Sequence, residues 1–541
     1  PSSAASDVYK RQLLTEQWFV DAKKLSKKPI KIVKEGKTTF FPSNWSKIFF
    51  QWMNNIEPWC ISRQIWWGHR IPAWYDENGN IFVAESEKDA VKLAKKKNKN
   101  KQFKLRQETD VLDTWFSSAL SPFATLGWPK KTKELNKFYP TSVLVTGFDI
   151  IFFWVARMLM MGNYFRKNTP FHKVYVHALV RDEKGQKMSK SKGNVIDPLD
   201  LINEYGADSL RFTLISMASP GRDVKLSKDR VTGNRNFITK IWSANNFLKL
   251  NNCKLDKKIN LTSIKLPINH WIYNEFIKTQ NLITKNIEIF RFDEAARYAY
   301  QFVWHSYCDW YLEFLKPIFN SKNKNEIKEA KAFSSFMMAN ILRILHPFIP
   351  FFTENLWSLN AYKKIFNNYL ICSSWPDFKV INKFSKNQNN INDLIEIISN
   401  IRSTKAELKI TPKLYCDIFF DDKSGKLKKL VNKNINLIKQ VGRVNNVLTT
   451  KIRDKNSIDI LVLKEKLSLN FNEDVNLGSQ KERILQKIET INKQITSLNN
   501  KLKNKAYVTN APKEIVQNDK NLVKELTIED GKLRSIVSSI N

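Results

Sequence analysis

The stretch from residue 143 to residue 161 most constrains the fold, because it is apolar along most of its length but includes Asp149 and Arg157. Charged side chains are costly at the middle of a bilayer, so we interpret the stretch as protein core and expect no membrane span. Residues 142–146 predict a buried parallel strand, the Gly-Phe-Asp sequence that follows predicts a turn, and residues 150–161 predict a helix. This order of elements is typical of an α/β protein.

The predicted turn is a candidate nucleotide-binding site. In open α/β sheets, ligands bind at the carboxyl ends of the strands. Gly147 lets a nucleotide approach the backbone at such an end, and Asp149 can accept hydrogen bonds from ribose hydroxyls. A single Gly-x-Asp sequence is weak evidence, but a second candidate loop follows the next predicted strand, at residues 173–180.

That second loop, residues 182–194, has the composition of a polyphosphate site. Lys187 and Lys190 bring two ammonium groups close together, and Ser189 and Ser191 add hydroxyl donors beside them. Fixed cations aimed at non-bridging oxygens stabilise the transition state of a phosphoryl or nucleotidyl transfer. The alternative is that a Lys-Ser loop in so lysine-rich a chain is only solvated surface.

Composition limits the kind of partner and the compartment. The 541 residues are enough for about three or four domains. The chain has 89 Lys and Arg residues against 52 Asp and Glu residues, which gives a formal charge of +37. This charge favours a polyanionic partner such as RNA, although an AT-rich genome also enriches a protein in lysine. The five cysteines are scattered without a CxxC pair, which fits a reducing cytoplasm.

Two motifs carry a resemblance to a known family. The sequence GQKMSKSKGN, residues 185–194, resembles the second ATP-binding signature of class I aminoacyl-tRNA synthetases. The run WCISRQIWWGHRIPAWY, residues 59–75, resembles valyl-tRNA synthetases, whereas isoleucyl and leucyl relatives have a different sequence at this place. The resemblance extends from residue 13 almost without interruption to the end of the chain.

This resemblance implies roles for residues near the two loops. It implies that the turn with Gly147 and Asp149 binds the ribose of the adenylate, and that Met188 and Lys190 belong to the ATP site. His177, at the end of the strand before the lysine loop, either faces the nucleotide or is a core histidine with satisfied hydrogen bonds.

The resemblance also implies a pocket for the valine side chain, lined by Trp115, Ile150 and Trp154. The spacing is physically reasonable, because residues i and i+4 share one face of a helix, so Ile150 and Trp154 can form one wall. Rigid flat walls exclude isoleucine by steric clash, but a pocket of this kind cannot strongly reject threonine, which is nearly isosteric with valine.

For cofactors, the resemblance implies ATP with Mg²⁺. Some bacterial members of the family carry a zinc-binding cysteine pair just after the tryptophan-rich run. Residues 76–80 of this chain have instead the sequence Asp-Glu-Asn-Gly-Asn, which is typical of a turn. We therefore expect no zinc and no other metal site built from protein side chains.

The end of the chain has a heptad pattern. Apolar residues recur in steps of four and three from Ile484 to Leu502, and the rhythm resumes after a break at residues 510–512. The pattern predicts an antiparallel coiled-coil hairpin with lysine-rich outer faces that suit an RNA backbone. A dimerisation coil is the alternative.

The predicted fold class is α/β: a partial Rossmann-type catalytic domain followed by an α-helical anticodon-binding bundle, a small α+β segment and a C-terminal antiparallel coiled coil. The predicted order is a non-native leader at 1–12, the exit of the editing insertion at 13–48, the C-terminal part of the catalytic domain at 49–191, a stem-contact region at 192–255, the anticodon-binding domain at 256–383, the α+β segment at 384–478 and the coiled-coil tRNA-binding arm at 479–541.

The implied function is a valine-tRNA ligase that acts on valine and tRNA-Val as a cytoplasmic monomer. Lys187 and Lys190 would stabilise the pyrophosphate side of the first transition state. The family's His-x-Gly-His signature has no match in the sequence, so we expect that this polypeptide, as an N-terminally truncated chain, does not activate valine by itself. The alternatives are a noncatalytic tRNA-binding protein derived from a synthetase and, within the enzyme class, an isoleucine-tRNA ligase.

Overall fold

A computed structural model describes most of the chain. The described residues are 15–97, 104–189, 192–221, 223–255, 259–411, 413–421, 425–448, 457–471, 475, 477–504, 507 and 513–539. The predicted leader at residues 1–12 therefore lies outside the described residues, as do Lys190 and Ser191 of the lysine loop.

The chain divides into two compact units. The first comprises Pro1–Ile196, Met217–Ser227 and Ile289–Asp293, and the second comprises Asp197–Ser216, Lys228–Glu288 and Glu294–Asn541. The predicted stem-contact region, residues 192–255, is thus shared between the two units.

The first unit combines short strands with helices. Its strands are β1 (Phe19–Val20), β2 (Thr39–Phe41), β3 (Trp59–Cys60), β4 (Ser62–Arg63), β5 (Ala73–Tyr75), β6 (Ile81–Val83), β7 (Arg106–Gln107), β8 (Val111–Leu112), β9 (Thr141–Gly147), β10 (Phe171–His177), β11 (Val180–Arg181) and β12 (Val224–Lys225). Its helices are α1 (Ala22–Lys34), α2 (Trp45–Asn54), α3 (Glu87–Lys97), α4 (Thr114–Ser118), α5 (Ser121–Ala124), α6 (Lys133–Phe138) and α7 (Arg157–Phe165).

A three-stranded parallel sheet in the order β2-β10-β9 forms the partial Rossmann-type domain. One face is buried: Phe40, Val174 and Val176 belong to a hydrophobic core with residues of α1, α2 and α7. The sheet includes β2, which lies within the range 13–48 that the sequence analysis placed before the catalytic domain.

The prediction that β9 is buried is wrong. The strand is parallel and in the expected place, but Val143 and Val145 are 38% and 59% exposed. Among the described residues β9 pairs only with β10, so it is an edge strand of this sheet and not a central one.

The helix predicted at residues 150–161 is present in a modified form. A 3₁₀ turn, Phe148–Ile150, leads into a wide π turn, Ile151–Ala156, and regular α-helix begins only at Arg157. By length and composition the stretch Phe148–Phe165 could cross a membrane, but 56% of it is buried inside the protein, as in the core helix of a folded domain.

The strand predicted at residues 173–180 ends early. β10 stops at His177, and Val180 and Arg181 form β11, which pairs in parallel with β12 in a separate sheet. Val180 has the composition of a continuing strand, but the chain leaves the main sheet before it. The lysine loop is therefore supported by β12 and not by the Rossmann-type sheet.

A small sheet in the order β6-β5-β7 follows the tryptophan-rich run. Residues 76–80 form the predicted turn, in which the Asp76 carboxylate accepts hydrogen bonds from the backbone of Asn78 and Asn80 at 3.0 and 2.8 Å. Beside it, the Glu108 carboxylate accepts from Trp18 Nε1 and from the hydroxyl of Tyr75 at 3.0 and 2.6 Å.

These bonds change the acidity of both partners. Partial burial would raise the pKa of Glu108, but the donors outweigh it and lower that pKa to about 2. Burial and the neighbouring carboxylate raise the pKa of Tyr75 to about 12. The two shifts have opposite signs, as expected when a phenol donates to a carboxylate that stays charged.

The second unit is mainly helical. Its helices are α8 (Pro198–Tyr205), α9 (Ala207–Met217), α10 (Lys228–Leu250), α11 (Pro267–Glu288), α12 (Phe292–Gln301), α13 (Leu312–Phe319), α14 (Lys324–Leu345), α15 (Pro350–Leu359), α16 (Tyr362–Phe366), α17 (Asn382–Glu407), α18 (Lys426–Lys433), α19 (Ile435–Gly442), α20 (Leu477–Lys503) and α21 (Lys513–Ser539). α12 continues through a π-helical stretch, Phe302–Tyr311, into α13. The first residues of α12 belong to the first unit. Fully buried aromatic side chains, among them Tyr273, Tyr307 and Trp357, fill the predicted bundle.

After the bundle, β13 (Cys416–Asp421), β14 (Val444–Leu448), β15 (Ser457–Val462) and β16 (Glu465–Asn470) form a four-stranded sheet in the order β14-β13-β16-β15. The predicted strand at residues 415–420 corresponds to β13. α18 and α19 connect β13 to its parallel neighbour β14, so this segment has the predicted α+β character.

Among the described residues, α20 and α21 form an antiparallel helical pair, and the coiled coil itself stays a prediction. Lys487 pairs with Glu529 at 2.6 Å and Lys501 with Asp519 at 3.5 Å, so α20 and α21 run antiparallel. Ile484 at the start of the seam is only 5% exposed. The predicted break at residues 510–512 lies outside the described residues.

Candidate nucleotide and amino-acid site

The ends of two neighbouring strands meet at the predicted ribose site. Gly147 and His177 are directly paired at the carboxyl ends of β9 and β10. The Gly147 backbone is buried, and Asp149 and His177 are exposed beside it. A Cβ atom at residue 147 would lie 2.5 Å from Asp149 Oδ1 and 3.7 Å from His177 Cε1. The structure thus brings these three predicted residues together.

This placement argues against the core interpretation of His177 and leaves its contact with a nucleotide a prediction. The ring is exposed, and its Nδ1 donates to the carbonyl of Ala178 at 2.9 Å. A core histidine would be enclosed by side chains, so the core alternative is wrong. The remaining ring nitrogen, Nε2, is the atom available for a ligand at the strand end.

The lysine loop is closed by two residues to which the sequence analysis gave no role, Asp182 and Asn194. The Asn194 side chain accepts from the backbone N–H of Ser189 at 2.9 Å, and it donates to Asp182 Oδ2 at 2.8 Å and to the carbonyl of Lys187 at 3.2 Å. The other Asp182 oxygen accepts from the backbone N–H of Gln186 at 2.6 Å. The amide of Asn194 is the main cause that lowers the pKa of Asp182.

We call these two residues, Asp182 and Asn194, the clasp. Between them, the Lys187 side chain is exposed, and Met188 and Ser189 are half-buried. The backbone of Lys187 forms an antiparallel bridge with Arg181, so the loop doubles back on itself. Lys190 and Ser191 lie outside the described residues. The clasp is visible in the sequence only as an Asp and an Asn twelve positions apart, a pattern too common to identify.

The base of the loop is anchored on β12. Val180 and Arg181 pair with Val224 and Lys225, and the side chain of Arg181 forms an ion pair with Asp223. This anchor is made by residues about forty positions later in the chain, from the range that the sequence analysis assigned to tRNA contact.

The predicted valine pocket maps onto two helical segments that contact each other. Trp115 on α4 stacks against Phe153, with ring centroids 6.0 Å apart. Trp154 donates from Nε1 to the carbonyl of Ser118, at the end of α4, at 3.1 Å. Ile150 is half-buried and ends the 3₁₀ turn that leads into the segment with Trp154. The role of these residues as valine contacts stays a prediction.

No metal-binding cluster is found within the described part of the chain. Groups of three or more His, Cys, Asp or Glu side chains that could hold a metal ion are absent there. The cysteines at positions 60, 253, 308, 372 and 416 are all described and all free thiols.

Comparisons with known proteins agree on one family. The family model for class I tRNA synthetases (I, L, M and V) matches residues 6–227, that for the anticodon-binding domain of tRNA ligase matches residues 269–420, and that for the valyl tRNA synthetase tRNA binding arm matches residues 476–541.

Two curated relatives give the similarity along the whole chain. A valine-tRNA ligase of Pelagibacter ubique is 52% identical over 507 residues, which are 94% of this chain and 58% of the relative. A valine-tRNA ligase of Rhizobium meliloti is 44% identical over 552 residues, which are 98% of this chain and 58% of the relative. The chain thus spans 58% of the length of each of these relatives.

Proposed function

Because the chain belongs to the valyl-tRNA synthetase family of class I tRNA synthetases, we propose that it is part of a valine-tRNA ligase. In the proposed reaction, the carboxylate of valine attacks the α-phosphorus of ATP, which gives valyl-adenylate and releases pyrophosphate. A ribose hydroxyl at the end of tRNA-Val then attacks the acyl carbon and takes the valyl group, and AMP leaves.

The observation that carries the proposal is the arrangement around the strand ends. Gly147, Asp149 and His177 lie together where a parallel sheet of this type holds a nucleotide. We propose that Asp149 accepts from the ribose hydroxyls and that the absence of a Cβ at residue 147 leaves room for the nucleotide. His177 would contact the nucleotide through Nε2.

The lysine loop would act on the phosphates. We propose that Lys187 and Lys190 neutralise the charge that develops on pyrophosphate as the α-phosphorus bond breaks, with Ser189 and Ser191 as hydroxyl donors and Met188 against the nucleotide. Interactions that strengthen in the transition state raise the rate more than they tighten ATP binding. Mg²⁺ would enter with ATP, held by phosphate oxygens, which are the ligands it prefers.

We propose Trp115, Ile150 and Trp154 as the contacts for the valine side chain. Valine is favoured over isoleucine because the curated relatives described above are valine-tRNA ligases and because one matched family model is specific to the valyl type. The α20–α21 hairpin would bind the backbone of tRNA-Val, and the net charge of +37 on the whole chain would favour this binding. The first apolar residues of its seam, Ile484, Ile488 and Ile491, are buried within the chain, which supports a monomer.

The free cysteines fit a reducing cytoplasm, which is the proposed compartment. The remaining alternative is a noncatalytic tRNA-binding protein derived from a synthetase. It predicts the same tRNA binding, but no dependence of any reaction on valine.

ATP–pyrophosphate exchange tests the proposal. We would assay the 541-residue chain, and a chimera that joins it to the part of the Pelagibacter ubique relative that it does not match. Exchange by the chimera that requires valine supports a valine-tRNA ligase. A preference for isoleucine would identify the isoleucine enzyme, and a chimera that binds tRNA-Val without any amino-acid-dependent exchange would favour the noncatalytic protein.

A further inference from the structure

One buried carboxylate outside the proposed contacts joins three segments of the first unit. Asp113 is 5% exposed. Its Oδ2 accepts from Trp59 Nε1 at 3.0 Å and pairs with Arg63 at 3.1 Å and with Arg157 at 3.5 Å. Its backbone N–H also donates to the carbonyl of Ile61 at 2.7 Å.

The same side chain reaches both helical segments that carry the proposed valine contacts. Asp113 Oδ1 accepts from the backbone N–H of Trp115 at 3.3 Å and so caps the start of α4. Arg157 is the first residue of α7 and follows the π turn that contains Trp154. One carboxylate therefore fixes the start of one segment and the continuation of the other.

Arg157 is enclosed by aromatic rings at this junction. Its guanidinium lies 4.0 Å from the ring centroid of Trp59 and 5.7 Å from that of Phe153, which itself stacks on Trp115. Burial lowers the pKa of Arg157, and the charge of Asp113 opposes this effect. Removing the charge of Asp113 would leave the partly buried charge of Arg157 without this partner, which is more destabilising than the loss of an exposed ion pair.

We propose that Asp113 is a positioning residue for amino-acid selection: with Arg157 it fixes the separation between Trp115 and Trp154, and so the size of the side chain accepted between them. The inference rests on the proposed function. One methylene in an apolar pocket changes discrimination by roughly 10- to 200-fold when the walls are rigid. Loosening the walls should reduce that ratio without changing the strand-end nucleotide site.

Calorimetric binding to the chimera described above, which joins the 541-residue chain to the unmatched part of the Pelagibacter ubique relative, tests this role. The probes are AMP, valyl-sulfamoyladenosine and isoleucyl-sulfamoyladenosine. Asp113→Asn keeps the capping oxygen but removes the charge. For this variant we expect the preference for the valyl over the isoleucyl probe to fall about fivefold or more, which is part of the roughly 10- to 200-fold discrimination that one methylene can give. Binding of AMP should stay within about twofold, because AMP does not reach these walls. Glu57→Gln, an exposed carboxylate change, is the matched control.

A second variant covers the case in which Asp113→Asn does not fold. Arg157→Lys keeps the positive charge but loses the planar contact with Trp59, so the preference for the valyl over the isoleucyl probe should still fall relative to the wild type. An unchanged preference in a variant that still binds AMP overturns the inference and leaves the proposed function intact. A wild-type chimera that binds both aminoacyl probes no better than AMP overturns the proposed function, and the inference with it.

Discussion

The clasp of the lysine loop offers a direct test of how the ATP site is organised. Asn194 makes hydrogen bonds to the backbone of Ser189 and Lys187, in addition to its bond with Asp182. The change Asn194→Ala removes all of them and leaves Lys187 and the strand-end site in place. If the clasp holds the loop in the shape that meets the phosphates, the variant should bind ATP more weakly.

The two backbone hydrogen bonds set the magnitude. Each contributes about 0.5–1.5 kcal/mol net, and partial exposure places them at the lower end, so their sum is about 1–2 kcal/mol. We assign no energy to the bond with Asp182, whose carboxylate is solvated. This loss corresponds to a roughly five- to thirtyfold weaker affinity for ATP, since about 1.4 kcal/mol is tenfold.

The assay compares ATP with AMP by isothermal titration calorimetry on the 541-residue chain. AMP has the ribose and α-phosphate but no β- or γ-phosphate, so its affinity should change little. Asp223→Asn is the comparison variant: it removes the ion pair with Arg181 at the base of the loop, which is worth at most about 1 kcal/mol because both side chains are partly exposed, so ATP affinity should fall less than in Asn194→Ala. An Asn194→Ala variant with the wild-type ratio of ATP to AMP affinity would refute the role of the clasp.

Three further predictions concern other parts of the chain. Gly147→Ala should push the Asp149 carboxylate aside, since the new Cβ would lie 2.5 Å from its Oδ1. The affinity for AMP should therefore fall, while the melting temperature stays close to that of the wild type. Gly233→Ala in α10 is the control, because no atom lies within 4 Å of the added Cβ. Glu108→Gln should destabilise the chain at pH 7, because a pKa lowered from 4.5 to about 2 corresponds to at most about 3.4 kcal/mol, reduced by solvent screening to about 1–2 kcal/mol. This stabilisation is present above about pH 4.5 and is lost as the pH falls towards 2, so the difference in melting temperature between wild type and variant should shrink as the pH falls below about 4.5; a difference that stays constant below that pH would contradict it. Lys503 lies at the exposed end of α20. If this lysine contacts a phosphate, Lys503→Gln should make the affinity for tRNA-Val less dependent on salt, with the magnitude of the slope of log affinity against log salt concentration smaller by about one. An unchanged slope would exclude that contact.

The strand-end site could be predicted from the sequence, and the reason is local. A strand followed by Gly-Phe-Asp is a pattern of adjacent residues, and the parallel pairing that brings His177 beside Gly147 follows from the rule that such strands end at the same edge. The heptad seam from Ile484 onward was predictable for the same reason, because a repeated spacing determines which faces pack.

The features that could not be predicted depend on distant residues. Val180 has a strand composition whether it continues β10 or pairs with Val224, and only the tertiary structure decides between the two. Likewise, Val143 and Val145 have the composition of a buried strand, but their exposure depends on what covers the sheet. The contacts of Asp113 with Trp59 and Arg157 could not be predicted, because these partners are more than forty positions away on either side.

The two glycines of the lysine loop illustrate how such distant contacts change the meaning of a motif. From the sequence, glycine in a phosphate loop suggests a backbone free to swing. In the structure, Gly185 has φ +80° and a Cβ there would lie 3.0 Å from Cε of Lys225, so this position needs glycine for a fixed turn against β12. Gly193, next to Asn194 of the clasp, has φ +64°, and a Cβ added there would have no atom within 4 Å, so only its backbone conformation requires glycine. Both glycines therefore permit the positive-φ turns on either side of the clasp contacts, and the hydrogen bonds of Asp182 and Asn194, not the glycines, restrict the described part of the loop.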